Sequence, residues 1–181
     1  KVLSPLNLKF LNSAGNDFVN WNMQTPLFRG EGLFSDYEES DRLVFEGLLS
    51  EAADNMFLIK TYPGIRVEHL MSFLKKDIRT FFLELYKNGT ANMKDSAYSL
   101  KEFLKRGMKR QCRFYCTSQQ EEIIDFSGYA SARNLWKGGA VPMGMLTTET
   151  AIALYYAASL VCDTQEEVEH IMETAALLNE K

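Results

Sequence analysis

The stretch Asp125–Ser159, DFSGYASARNLWKGGAVPMGMLTTETAIALYYAAS, decides the fold. It reads as a short helix, a glycine pair, a brief apolar strand, another glycine and a long helix. Gly138-Gly139 closes the helix that carries Ala132, Leu135 and Trp136, because glycine takes the left-handed closing position at low steric cost. Ala140-Val141-Pro142-Met143 is too short for a helix and too apolar for a surface loop, which predicts a buried strand. Thr147 or Thr148 then caps the last helix, with Glu149 in the first turn where the helix dipole favours an acid. Such an α–β–α passage is the unit from which parallel sheets with helical cover are built.

Upstream the same alternation repeats. Met56-Phe57-Leu58-Ile59 is an apolar strand that ends at the turn signal Tyr62-Pro63-Gly64. Val67, Leu70, Met71 and Leu74 follow at helical spacing, with Lys75-Lys76 at the end where cations suit the dipole. Thr80 to Tyr86, TFFLELY, is rich in strand formers. Tyr98, Leu100, Phe103 and Leu104 mark a helix that Gly107 should close, and Gln111 to Thr117, QCRFYCT, is the next strand. The expected fold is therefore α/β: a small four-stranded parallel sheet from 56–61, 80–86, 111–117 and 140–143, flanked by helices in three layers. Three right-handed crossovers should join the strands. Downstream, Asp163 to Leu178 is amphipathic, with Val168, Ile171, Met172 and Ala175 on one side and Thr164 and Glu167 as a capping box.

The N-terminal third lacks this rhythm. Residues 1–34 are punctuated by Pro5, Gly15, Pro26, Gly30 and Gly32 and read as irregular, with a strand at Val19–Met23. Residues 31–54 hold eight acidic residues against Arg42 and read as a solvated connection with a helical turn or two. Asp36, Glu38, Glu39 and Asp41 do not follow the spacing of a calcium loop. The domain division that results is a linker and peripheral segment over 1–54 and an α/β domain over 55–181.

With 181 residues, 46% of them hydrophobic, the chain can bury a full core, and a net charge of −4 argues against nucleic acid as its main partner. Lys75 to Arg113 holds eleven basic and four acidic residues, which helix ends and helix surfaces account for. No apolar run reaches a bilayer span and no secretory leader stands at Lys1, so a cytoplasmic location with neither membrane nor nucleic-acid partner is expected. Cys112, Cys116 and Cys162 make an odd count that suits a reducing compartment. Cys112 and Cys116 should face one buried side of a strand rather than join His69 or His170 on a metal, so no metal or cofactor is implied.

Ligands of open parallel sheets bind beyond the carboxyl ends of the strands. That edge offers Asn88, Thr90, Thr117, Ser118 and Gln119 as candidates for hydrogen-bonding a small polar ligand. None has an evident general base beside it, so no catalytic residue is assigned. Asn88-Gly89-Thr90 also matches an N-glycosylation triplet, which without a secretory signal reads as coincidence.

The order of elements resembles the C-terminal domain of type I, cytoplasmic L-asparaginases, of the asparaginase-glutaminase family. Thr61-Tyr62-Pro63-Gly64-Ile65 is similar to that family's Leu-Tyr-Pro-Gly-Ile, and Tyr86 to Ala91 to its Tyr-Gly-x-Gly-Asn-Ala strand exit. Tyr115 to Gln119 stands at its Asn-x-Thr-Gln-Cys. Gly128-Tyr129, Gly139-Ala140-Val141 and Leu146-Thr147-Thr148-Glu149-x-Ala151 resemble its Gly-Tyr, Ala-Gly-Val-Ile and Asp-Met-Thr-x-Glu-Ala. The resemblance implies that the threonine nucleophiles belong to an N-terminal domain absent here, and that this domain completes sites across subunit contacts. Thr90, Lys87, Ser118-Gln119, Met145 and Leu154 depart from the pattern at polar positions. Two functions follow as expectations. The first is a non-catalytic asparaginase-like domain used for assembly, as a homo-oligomer or with an asparaginase N-terminal domain, or for regulatory binding of a small amino acid. The alternative is part of an active L-asparaginase or glutaminase whose nucleophiles lie in the missing half.

Overall fold

The computed structural model describes residues 39–120, 123, 124 and 126–178. The irregular reading of residues 1–34, with its strand at Val19–Met23, lies outside them. Six α-helices and four strands occur among the described residues: α1 Glu39–Asp54, β1 Met56–Lys60, α2 Val67–Met71, β2 Thr80–Leu85, α3 Lys101–Lys109, β3 Arg113–Ser118, α4 Ala130–Lys137, β4 Ala140–Pro142, α5 Thr148–Val161 and α6 Gln165–Leu178. The strands form one sheet in the order β1-β2-β3-β4, every pair parallel. This is the expected four-stranded α/β fold.

Two cores sandwich the sheet. Ile59, Phe81, Leu83, Leu85, Phe114, Cys116 and Ala140 face Leu70, Leu74, Phe103, Leu104, Ala132 and Leu135 of the crossover segments. Phe82, Tyr115 and Met143 face Ala52 of α1, Ala151, Leu154 and Tyr155 of α5, and Val168 and Met172 of α6. The period-2 alternation of each strand divides its apolar residues between the two. All three crossovers lie on one face, as a stepwise strand order with a single handedness requires.

Local chemistry explains the ends of elements. Gly139 takes φ 85° after α4, and Thr147 caps α5 by accepting a bond from the Thr150 amide. The capping box of α6 is closed on both sides: Glu167 N donates to Thr164 Oγ1 at 3.2 Å, and Thr164 N donates to Glu167 Oε2 at 3.2 Å. Ile65 N returns to Tyr62 O at 3.1 Å, making the expected turn, with Gly64 at φ 89°.

Four elements differ from expectation by more than a residue at one end. The helical turn or two expected before Asn55 is the 16-residue α1, seated against α5 and β1 with Ala52 buried. Its acidic sequence lacks proline and carries Gly47 as its sole glycine, so nothing in it interrupts a helix. The helix expected over Val67 to Leu74 breaks at Ser72, whose hydroxyl donates to His69 O at 2.9 Å, and continues as a 3-10 turn at Phe73–Lys75. Gly107 does not close α3 but lies inside it, where a Cβ would overlap the Phe114 ring. Gln111, at φ 60°, follows that helix instead, and β3 starts two residues later than expected.

Candidate functional site

The parallel register sets a polar row at the carboxyl ends of the strands. Lys60 pairs with Glu84 across β1 and β2, and Glu84 pairs with Thr117 across β2 and β3. Glu84 and Thr117 lie two residues beyond Phe82 and Tyr115, so they share the face covered by α5. The first residue of α5, Thr148, lies within hydrogen-bond reach of both.

Side chains in this row are bonded to one another. Glu84 Oε2 lies 2.9 Å from Lys60 Nζ, and Glu84 Oε1 accepts from Thr148 Oγ1 at 3.2 Å. Thr117 Oγ1 and Thr148 Oγ1 are 2.7 Å apart. Because the single hydroxyl proton of Thr148 goes to the carboxylate, Thr117 is the donor in that contact. Thr117 is fully buried and Thr148 nearly so. Gln119 also ties the strand ends together: its Nε2 donates to Thr61 O at 2.6 Å and to Glu84 O at 3.1 Å. Thr61 Oγ1 donates to the same Glu84 carbonyl at 2.9 Å.

Above this row opens a cleft of about 690 Å³. Glu84 and Thr148 contribute to its lining, along with Ser118, Gln119, Gln120, Thr147 and Glu149; Ile123, Met145 and Leu146 add apolar surface. The five candidate residues from the sequence therefore separate. Ser118 and Gln119 line the cleft, and Thr117 lies beneath it with its hydroxyl proton committed to Thr148. Asn88 and Thr90 belong to a different turn: Asn88 Nδ2 donates to the Tyr129 hydroxyl at 3.0 Å, and Thr90 Oγ1 donates to Lys87 O at 2.8 Å. A smaller cavity of about 260 Å³ lies between Tyr62, Tyr86 and Tyr98 at the ends of β1 and β2.

Glu84, Lys60 and Thr148 were not foreseen as site residues. The signal for Glu84 was present: it is the one charged residue in the strand Thr80–Leu85, TFFLEL. A buried strand keeps a carboxylate only where partners meet it. A threonine hydroxyl bonded to a carboxylate is also the geometry of a nucleophile beside a base. Here Lys60 holds the other oxygen of that carboxylate, and Thr117 occupies an acceptor position of Thr148.

His69 stands on α2 and His170 on α6, on opposite sides of the sheet, so they cannot share a ligand sphere with each other. Among the described residues no group of three His, Cys, Asp or Glu side chains is placed to hold a metal ion. Cys112 and Cys116 are both buried in the crossover-side core, where burial pushes their thiols up. Cys162 is half-buried, and its thiol is raised by burial first and then by Glu167 and Asp163. A maleimide titration of the folded chain followed by mass spectrometry should label Cys162 first, with Cys112 and Cys116 reacting after unfolding. Early labelling of Cys116 would contradict this packing. No helix among the described residues is long and apolar enough to cross a membrane.

No protein-family model matches the chain, and no curated protein does. Solved structures do. L-asparaginase I from Vibrio cholerae superposes with a TM-score of 0.57 at 23% identity, over 66% of this chain and 36% of that one. The thermostable L-asparaginase from Thermococcus kodakarensis gives 0.56 at 24% identity, over 67% of this chain and 37% of that one. The chain thus matches little more than a third of the length of either enzyme, and it carries the fold of that part of the L-asparaginases.

Proposed function

We propose that this chain is an asparaginase-like domain, non-catalytic by itself, that binds a small polar ligand in the cleft beyond its strand ends and works within an assembly. One observation carries the reading: Lys60, Glu84, Thr148 and Thr117 bond to one another beneath the cleft. Amide hydrolysis needs an activated nucleophile and donors for the developing oxyanion. The threonine best placed to act is buried and shares its carboxylate with a lysine. Ser118, Gln119, Gln120 and Glu149 give the cleft a polar lining, and the apolar side chains beside them favour a small body over an extended polymer. A homo-oligomer, or a partner domain of the asparaginase type, accords with a chain that matches only part of the enzymes sharing its fold.

The purified chain should release no ammonia from asparagine or glutamine above a buffer blank. Release abolished by Thr148→Ala would overturn the non-catalytic reading. Calorimetric titration with asparagine, aspartate and glutamine tests the binding reading, and heat that survives Ser118→Ala and Glu149→Ala unchanged would place the ligand elsewhere.

The partial match to L-asparaginases also favours a second reading, in which this domain belongs to a larger amidohydrolase whose nucleophiles lie in another domain. The natural reading frame decides between them. Two threonine motifs encoded upstream of Lys1 would favour the second.

A further inference from the structure

The turn after β2 contains Asn88-Gly89, a dipeptide whose chemistry the strand-end cleft does not use. Glycine after asparagine leaves the following amide nitrogen unshielded by any side chain. That nitrogen can then attack the asparagine side-chain carbonyl. The geometry here opposes the attack. Asn88 stands at φ 59°, ψ 29°, a left-handed conformation that asparagine tolerates better than most residues. At that ψ the Gly89 nitrogen lies nearly opposite the Asn88 side chain about the Cα–C bond, out of reach of Cγ.

Three contacts hold the conformation. Gly89 N donates to Tyr86 O at 3.1 Å, which also occupies the would-be nucleophile. Asn88 Nδ2 donates to the Tyr129 hydroxyl at 3.0 Å, so the leaving amide is tethered to the segment before α4. Gly89 itself is buried against Ile124, where even a Cβ would come within 2.7 Å of that side chain. Rotating the 88–89 peptide into attacking position therefore requires the turn to lift away from Ile124.

We propose that Asn88 is a gated deamidation site, held closed by the left-handed turn and by the Tyr129 latch, and modified only when the turn opens. The step balances without a cofactor. Solvent hydroxide takes the Gly89 amide proton, and the nitrogen bonds to Asn88 Cγ. The Cγ–Nδ2 bond then breaks and ammonia leaves. Water adds to either carbonyl of the resulting succinimide and breaks one ring C–N bond, giving aspartate or isoaspartate at 88. One water is consumed and one ammonia released. The isoaspartyl product inserts a methylene into the backbone of a turn that has no room for it against Ile124.

The experiment incubates the full chain at mildly alkaline pH in three forms: folded, unfolded in denaturant, and folded as Tyr129→Phe. Trypsin then cuts after Lys87 and Lys94, so a single peptide carries both Asn88 and Asn92. Asn92 precedes Met93 and serves as the internal control. In the unfolded chain Asn88 should convert well ahead of Asn92. In the folded chain conversion at Asn88 should be about tenfold slower or more, because it follows the population of the opened turn. Tyr129→Phe should fall between the two; Tyr129 is half exposed, so this change leaves the core untouched. Equal rates in folded and unfolded chain would overturn the gate. No preference for Asn88 over Asn92 in denaturant would overturn the site, and a parental rate in Tyr129→Phe would overturn the latch.

Discussion

Phe114→Ala is expected to destabilise the chain by about 3–5 kcal/mol, the range for truncating a fully buried aromatic side chain. Phe114 is in β3, an inner strand of the sheet, with no solvent exposure. Its ring stacks on Phe81 at 5.4 Å between centroids and meets Phe103 edge-on at 5.5 Å. Phe81 and Phe103 meet in turn at 5.2 Å, so the three rings form a closed cluster between the sheet and α3. Removing one leaves a cavity whose walls are a strand and a helix, neither free to collapse inward. Trp136→Ala supplies the contrast: a larger ring, but 65% exposed at the end of α4, expected to change stability by about 0.5 kcal/mol or less. Urea denaturation of both variants checks the pair. Equal losses would mean that the aromatic cluster is not the centre of the crossover-side core.

That cluster also accounts for a residue the sequence misleads on. Glycine near the end of an apolar helical pattern is normally a stop signal, so Gly107 reads as the close of α3. In the fold it lies against the side chain of β3's Phe114, whose ring fills the space a Cβ would take. The glycine's reason lies seven residues downstream on another element, which no local pattern reveals. Strands are the opposite case. TFFLEL and RFYCTS are buried on both faces, and their apolar runs, bounded by turns, could be placed without tertiary information. For α1 the difficulty is of another kind: an acidic sequence masks a helix whose Ala52 is buried in the core.

The site was legible in part for a related reason. Parallel topology predicts that polar groups gather beyond the strand ends, and Ser118 and Gln119 do line the cleft there. Topology alone does not say which way each exit loop turns. The β2 exit folds back on itself, with Tyr86 N bonded to Thr90 O at 3.0 Å, which takes Asn88 and Thr90 towards Tyr129. Nor does it say which of two adjacent threonines caps α5 and which faces the sheet. Thr147 does the first and Thr148 the second, a difference of one residue that carries the link to Glu84.

Glu84→Leu is expected to cost about 1–3 kcal/mol, and its size and origin can be separated by companion variants. Lys60 is 65% exposed, so losing its carboxylate partner returns it to water, and a pair of that kind contributes about 0–1 kcal/mol. The larger loss comes from Thr148, whose hydroxyl would be left without its acceptor in a buried position, at about 1–3 kcal/mol. Glu84→Gln keeps an oxygen for Thr148 and gives up the charge, so it should lose no more than the ion pair is worth. Replacing both sides of the contact is different again. Glu84→Leu with Thr148→Val and Thr117→Val removes the donors along with the acceptor, and Thr147 remains to cap α5. Such matched replacement by apolar groups is nearly neutral, so the triple variant should recover most of the stability lost by Glu84→Leu alone. If the triple variant is instead as unstable as the three single losses added together, the row does not act as one bonded unit. A recovered triple variant has a further use: its cleft keeps Ser118, Gln119 and Glu149 above an apolar floor. Titration of asparagine, aspartate and glutamine into it then distinguishes a ligand held by the rim from one that reaches Glu84.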